Sequence, residues 1–323
     1  MAPNPTPTQQ ILTTIEQHRS FLVTGHERPD GDAIGSTLAL WHLLRQLEKE
    51  VECVFASGIP KRYAFLPGAA SVTIQPTLAP PAVAIVADCD GVHRADVPPE
   101  VLEQAQQVID IDHHGTNPAF GDVAYVDTSA CAVGEMIYRV VSAARARIDT
   151  DMATCLYCAI AADTGFFRFR NTTRAALAVC AELVDAGADP HFIARHAAEL
   201  QPMSSVVLLG RALASIQAIA DGAVVTARLL PEDFAAAGAE PAETEGIIDR
   251  LKCIEGVRVA ALLRDEGRRE IRVSLRSATG VDVASVARKF GGGGHEAAAG
   301  CTIRGTMADA HAAVVSELRA AVV

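Results

Sequence analysis

The chain has little of what several protein classes require. Its 323 residues include 1 Trp, 4 Tyr and 10 Phe, so aromatic residues make up 5%. Gripping a long single strand wants a basic groove lined with stacking rings, whereas the formal net charge here is −11. A protein that coats nucleic acid by charge alone is excluded on that ground, and no long duplex partner is expected. No apolar run approaches the ~18 residues of a membrane span, so no membrane partner is expected. The opening MAPNPTPTQQ has neither the basic segment nor the apolar stretch of a secretory signal, and the expected compartment is the cytoplasm. Disulfide staples are not expected either. The cysteines, Cys53, Cys89, Cys131, Cys155, Cys158, Cys180, Cys253 and Cys301, are scattered over a chain too large to need them. Cys155 and Cys158 form the one CxxC, inside the apolar stretch MATCLYCAIAA. They read as small core residues, since a zinc–thiolate site would want a second pair.

What is present sustains a packed core: 50% of residues are apolar and 21% charged. The length suits one large or two ordinary domains. Charge is uneven, with residues 1–254 at net −13 and 255–323 at net +2. An acidic body with a mildly basic tail suits an anionic ligand held by cations and a few placed arginines.

Hydrophobic patterning predicts an arm over 1–7, then a helix capped by Thr8 with Ile11, Leu12 and Ile15 on one face. FLVTG reads as a strand, and Ile34, Leu38, Trp41 and Leu44 mark a helix. VECVFA, VAIVA (83–87) and VIDI (108–111) are further strands, the last two apolar throughout, as in strands buried on both faces. Helices are predicted over 98–107, 130–146, 151–162, 172–187 and 202–220. The expected fold is α/β: an N-terminal, mainly parallel sheet with helices on both faces (1–200), a helical linker (201–221), and a smaller α/β domain (222–323). In that second part AVVTARL, VRVAALLR, EIRVSLRS and GCTIRG read as strands, with helices near 241–252, 282–290 and 306–321.

Three sites share one pattern, in which a buried strand ends and acidic residues or histidines follow at once. FLVTG runs into His26, Asp30 and Asp32; VAIVA into Asp88; VIDI into Asp112, His113 and His114. Ligands of open parallel sheets bind at the carboxyl ends of the strands, so the pattern gathers these groups from distant parts of the chain. Asp163, in AADTG, ends a helix and is a fourth candidate. Clustered carboxylates repel unless a counter-charge is supplied. Two divalent cations supply it, and a carboxylate and imidazole donor set suits Mn2+, with Mg2+, Co2+ or Fe2+ as alternatives.

In this order and spacing the residues resemble the DHH phosphoesterase superfamily. GHERPDGDAIGS resembles its first motif, ADCDGVHR the second, IDHHGTNPAFGD the third and AADTGFFRFRNTT the fourth, while KFGGGGHEAAAG resembles the signature of the DHH-associated C-terminal domain. The resemblance implies that His26, Asp30 and Asp88 hold one metal ion, and that Asp32, Asp88, His113 and Asp163 hold a second, with Asp88 bridging. It implies that Asp112 orients the histidines and that His114 contacts the scissile phosphate. Arg94 and Asn117 would bind substrate. Two ions about 3.5–4 Å apart can activate a bridging water, so no side-chain nucleophile is needed. The active site is expected in the cleft between the domains.

In the tail, Gly291–Gly294 precede His295. Backbone amides in such a run can cradle an anion, and in the family this loop, Gly292, Gly293, Gly294 and His295 included, belongs to substrate binding. Arg272, Ser274 and Arg276 alternate along one strand and share a face that could bind a phosphate or base. Arg268 and Arg269 read as an exposed turn. Phe166, Phe167 and Phe169 are either an apolar packing cluster or stacking rings.

The length leaves no space for the extra domains of the long exonucleases of the superfamily, and the tail differs from that of its pyrophosphatases. The resemblance therefore implies the compact bifunctional type, which degrades short oligoribonucleotides and removes the 3′-phosphate from 3′-phosphoadenosine 5′-phosphate (pAp). Alternatives are a cyclic di-AMP or pApA phosphodiesterase and a catalytically silent nucleotide-binding protein on the same scaffold. A homodimer is left open.

Overall fold

Thr6, rather than Thr8, begins the first helix. Its hydroxyl accepts from the Gln9 N–H at 3.3 Å while the Gln9 side chain accepts from the Thr6 N–H at 2.8 Å. Pro7 then occupies the first helical position, where its missing N–H costs nothing. The computed structural model describes residues 5–77, 80–265, 267, 269–278 and 280–322, so most of the predicted arm and Arg268 lie outside the described residues. Two compact units divide the chain, Met1–Leu200 and Gln201–Val323.

The first unit runs α1 (Pro7–Gln17), β1 (Ser20–Thr24), α2 (Gly31–Gln46), β2 (Glu50–Cys53), β3 (Val83–Ala87), α3 (Pro99–Gln104), β4 (Gln107–Asp112), β5 (Val123–Val126), α4 (Val133–Ala143), α5 (Thr150–Asp163), α6 (Arg174–Asp185) and α7 (Pro190–Ala194). Its sheet has the order β2-β1-β3-β4-β5, all parallel. Successive residues face opposite sides. Phe21, Val23, Ile85, Ile109 and Ile111 join the main core with α1, α2, α4 and α5. Leu22, Ala84 and Val86 turn the other way, onto Val97 and Leu102 of the α3 segment. Strand order reverses between β1 and β3. Open α/β sheets bind ligands at such a reversal, beyond the carboxyl ends of the strands, and there the chain places His26 and Asp88.

Strand β5 was not expected from the sequence. It is a four-residue edge with only Val123 buried, so it lacks the continuous apolar run that reveals β3 and β4. The helices predicted over 98–107 and 130–146 are shorter than expected, because Ala105 adopts extended backbone and the extended Ala132 caps α4.

The second unit contains α8 (Met203–Ala214), β6 (Gln217–Ile219), β7 (Val224–Leu229), α9 (Pro231–Ala237), α10 (Ile247–Lys252), β8 (Val259–Asp265), β9 (Glu270–Ser277), α11 (Val283–Arg288), β10 (Gly293–His295), β11 (Ala298–Arg304) and α12 (Met307–Val322). Its sheet order is β10-β11-β9-β8-β7-β6, with only β7 and β8 parallel. Residues 201–221, expected as a helical linker, form α8 and then β6. Leu208 and Ala212 of α8 are buried with Val225, Phe234 and Leu251 in one core of this unit. Helices α11 and α12 cover the opposite face. The glycine run is not a plain loop, since Gly293–His295 pair antiparallel with β11. Arg269 sits in an exposed turn, as expected. No helix among the described residues is long and apolar enough to cross a membrane.

Candidate metal centre and its surroundings

Each strand of the reversal delivers one part of the centre. After β1, the His26 Nδ1 approaches its neighbour's carbonyl, Glu27 O, at 2.8 Å. Its Nε2 then lies 3.8 Å from Asp30 Oδ1 and 3.7 Å from Asp88 Oδ2. Asp30 caps α2, accepting from the N–H groups of Asp32 and Ala33 at 2.9 and 3.1 Å. After β3, Asp88 takes a left-handed backbone conformation (φ 57°) that asparagine and aspartate tolerate better than most residues. After β4 comes Asp112-His113-His114. The His113 Nε2 lies 3.7 Å from Asp88 Oδ1 and 3.7 Å from Asp163 Oδ2. Asp163 arrives because α5 packs tightly on α2: a Cβ built on Gly35 would stand 2.4 Å from the Cys155 carbonyl oxygen. Asp32, 1% exposed, accepts from the N–H groups of Val133 and Gly134 at 2.6 and 2.9 Å and from the Ser36 hydroxyl at 2.8 Å.

His26, Asp30 and Asp88 form one group able to hold a metal ion, and Asp32, His113 and Asp163 form another. A third grouping, Asp88, His113 and His114, overlaps both. Asp88 touches the two sides with different oxygens, Oδ2 towards His26 and Oδ1 towards His113.

Without a counter-cation these carboxylates are poorly placed. Burial, then the charges of Asp32, Asp30, Asp112 and Asp163, push Asp88 well above the usual carboxylate range. Burial and Asp163 push Asp32 up to about 7, and burial raises Asp163. Burial also works against Asp30, but its interaction with His26 and its amide hydrogen bonds outweigh that and hold it below its usual value. Asp88 Oδ1 is buried and has no hydrogen-bond partner. A buried, unpaired carboxylate oxygen between two imidazoles is what a cation would satisfy, so the donor set fits divalent metal.

Around the centre some contacts differ from those expected. Asp112 was expected to orient both histidines. It accepts from His114 Nδ1 at 2.7 Å, but it meets His113 only at the backbone N–H, 2.8 Å away. The His113 ring instead approaches the Ala130 carbonyl at 3.2 Å. Burial acts against the charge on Asp112, but the contacts with His114 and Asn117 hold it below its usual value. The Asp112 hydrogen bond in turn raises His114.

Asn117, expected against substrate, is turned inward. Its Nδ2 faces Asp112 Oδ2 (2.8 Å), Asp110 Oδ1 (3.1 Å) and the Cys89 carbonyl (3.1 Å), and its Oδ1 accepts from the Ala119 N–H. Arg94 is held by Asp90 at 2.7 Å, and Asp90 also accepts from Thr116. Asp90 was marked as a partner of Arg94 only by its place four residues before it. Asn171 was marked only by lying in the fourth motif, and it donates to the Asp163 carbonyl at 3.1 Å.

In the second unit a cavity of about 470 Å³ is bounded by Arg264, Arg272, Ser274, Gly292, Gly293 and Thr302, among others. Arg264 was missed by sequence reasoning, since nothing local marks it. Arg276, Gly294 and His295 do not line this cavity. The Arg276 side chain donates to the Leu275 carbonyl at 3.1 Å and lies 3.7 Å from Asp249. Gly292 permits the close approach of β11: a Cβ there would fall 2.2 Å from the Gly300 carbonyl oxygen.

Comparison with known proteins gives two domain matches, "DHH family, N-terminal domain" over residues 20–160 and "DHHA1 domain" over 221–323. The chain is 36% identical over 306 residues to a bifunctional oligoribonuclease and PAP phosphatase of Thermus thermophilus, covering 93% of this chain and 88% of that protein. It is 28% identical to the Bacillus subtilis protein of the same description, over 91% and 92% of the two chains. Among solved structures, an exopolyphosphatase-related protein from Bacteroides fragilis superposes with a TM-score of 0.88 at 23% identity, over 97% of this chain and 96% of that one.

Proposed function

The chain belongs to the DHH family, and on that premise we propose that it is a metal-dependent phosphoesterase acting on short oligoribonucleotides and on pAp. It hydrolyses the former to mononucleotides and removes the 3′-phosphate of the latter. One observation carries the reading: Asp88 offers one carboxylate oxygen to each of two ligand groups, with its Oδ1 buried and without a hydrogen-bond partner. A centre that shares one carboxylate in this way supports two ions, with His26, Asp30 and Asp88 on one side and Asp32, Asp88, His113 and Asp163 on the other. Manganese suits the donors best, before magnesium, cobalt or iron. When bound, such a pair supplies an activated water and offsets charge on the phosphoryl oxygens.

The chain's own residues do the rest. Asp112 accepts from His114 Nδ1, which fixes the ring and leaves Nε2 to donate to a phosphoryl oxygen. The raised pKa of His114 favours the imidazolium needed for that. Asn117 braces Asp112 from behind. Arg94, steadied by Asp90, keeps further N–H donors for a phosphate. In the second unit, Arg272, Ser274 and the Gly292–Gly293 backbone take a phosphate or base of the substrate. Arg276, Gly294 and His295 contribute to binding from outside the described cavity.

Every metal-ligand position is filled, which disfavours a silent binding protein. The test is a panel with purified protein: pAp, RNA from dimer to pentamer, a long single strand, pyrophosphate and cyclic di-AMP, with manganese and with chelator. The expected result is mononucleotides from short RNA and phosphate from pAp, both lost in chelator. Full activity in excess chelator, or long strands cut as fast as dimers, would overturn the proposal.

A further inference from the structure

The seven residues after Asp163, Thr164–Arg170, form a loop closed on that ligand. Asn171 Nδ2 donates to the Asp163 carbonyl at 3.1 Å and lies 3.4 Å from its Oδ2. Thr164, fully buried, knots the interior. Its hydroxyl donates to the Ile160 carbonyl at 2.7 Å and accepts from the Phe167 N–H at 3.2 Å. Its carbonyl accepts from the N–H groups of both Arg168 and Phe169 at 3.0 Å.

Three successive residues, Gly165, Phe166 and Phe167, have positive φ (57°, 56° and 65°). Glycine takes this conformation freely, but two bulky side chains do so only at a cost, and such strain concentrates at functional sites. Here the turn sorts the three aromatics. Phe166 and Phe167 pack against the main core, with Phe167 edge-on to Tyr157 at 5.9 Å between ring centroids. Phe169 instead folds back so that its ring tip covers Gly165, where an added Cβ would meet Phe169 Cζ at 2.5 Å. The rest of that ring is open, leaving the residue 56% exposed.

Arg168 and Arg170, on either side of it in sequence, are both exposed. Arg168 uses its Nε on the Gly165 carbonyl at 2.6 Å. Among the described residues neither arginine has a carboxylate partner, although the chain carries a net charge of −11. Packing accounts for Phe166 and Phe167 but not for an aromatic ring held out over a glycine. A solvated surface accounts for the arginines but not for their company.

We propose that Phe169 is a stacking platform for a nucleobase flanking the scissile phosphate, and that Arg168 and Arg170 hold the adjoining phosphate of the same strand. The inference rests on the oligoribonuclease reading and supplies it with a nucleotide subsite in the first unit. One face of Phe169 offers a base its flat contact without reading its identity, since every base has a π-face.

The test is a cycle between Phe169→Ala and dinucleotides made abasic at each nucleoside in turn. Phe169→Ala should lower kcat/KM on intact dinucleotides by about tenfold. It should have no effect on the dinucleotide lacking the stacked base, and Phe169→Tyr should restore the rate. A second measurement is independent of turnover. Phe169→Trp adds an indole that a hydrolysis-resistant phosphorothioate dinucleotide should quench saturably, and its abasic counterpart should not. Equal losses on intact and abasic substrates, no loss on either, or an indole indifferent to the base would overturn the platform. If wild type cleaves no dinucleotide at all, the activity reading falls, and the quench alone then decides the platform.

Discussion

Replacing Asp88 by asparagine should raise the stability of the metal-free protein while removing its response to metal and its turnover. Asp88 is 2% exposed, and its Oδ1 has no hydrogen-bond partner. A buried polar atom left unpaired costs about 1–3 kcal/mol, and more when it is charged. Asparagine leaves a polar atom there but removes the ionisation that burial and the neighbouring carboxylates oppose, so in chelator the variant should gain about 2 kcal/mol. For a unit of this size that is a rise of about 4–8 °C in Tm. At a hundredfold excess over Kd, metal should stabilise wild type by about 2.7 kcal/mol. The variant lacks the carboxylate proposed to be shared and should gain far less, so the order of the two melting curves reverses between chelator and manganese. Calorimetric scans at pH 8 in both buffers, with turnover measured beside them, decide the matter. A variant that melts below wild type in chelator, or that rises with manganese as far as wild type does, would refute the argument. The same burial sets a pH slope. Asp32 is raised from 3.8 to about 7 by burial and by Asp163. An acid with a folded pKa above its unfolded one binds its proton more tightly when folded. The share of metal-free stability that Asp32 controls should therefore fall as pH rises from about 4 to about 7 and level off above that, by about 4 kcal/mol at most.

Gly292→Ala should destabilise the second unit by about 1–3 kcal/mol and raise KM, because its Cβ would stand 2.2 Å from the Gly300 carbonyl oxygen. Gly293→Ala, with nothing within 4 Å, should melt like wild type. Asn117→Ala should lower kcat by about 10–100-fold, the usual range for a residue that braces a site from behind, with KM for pAp unchanged. A rise in KM alone would return Asn117 to direct substrate contact. Arg272→Ala should weaken binding of dinucleotides by about 1.5–3 kcal/mol, as for a charged hydrogen bond. Arg276→Ala should cost less, since that side chain is already engaged with Leu275 and Asp249, and titration of bound metal should show no change in either variant.

The strand ends were legible because buried parallel strands write themselves as unbroken apolar runs, and the polar residue that follows each one falls beyond the carboxyl end of the sheet. VAIVA before Asp88 and VIDI before Asp112 are of this kind. Strand β5 was not, since VAYV is short and three of its four residues are only partly buried. The residue types of the candidate metal centre were legible too, but the direction of each side chain was not. Asn117 faces inward because the Cys89 carbonyl, 28 residues earlier, comes within 3.1 Å of its amide, and no local pattern encodes that meeting. The division of Asp112 between the His114 ring and the His113 backbone is likewise a product of the turn after β4. Thr6 takes the cap from Thr8 because Pro7 and Gln9 complete a reciprocal pair with it, a competition between neighbouring threonines that helical periodicity alone does not resolve.

The cysteines have a practical consequence. Seven of the eight are buried, and burial pushes thiols such as Cys53, Cys89, Cys158 and Cys180 up to about 12. Thiols of that kind are neither ionised nor reachable in the folded chain. Cys253, at the end of α10, is exposed. A maleimide dye added to the native protein should therefore label one position, in the second unit. The six cysteines of the first unit should react only as that unit opens and Cys301 only as the second does, so slow labelling mapped to the first six would report how often the fold around the candidate metal centre comes apart.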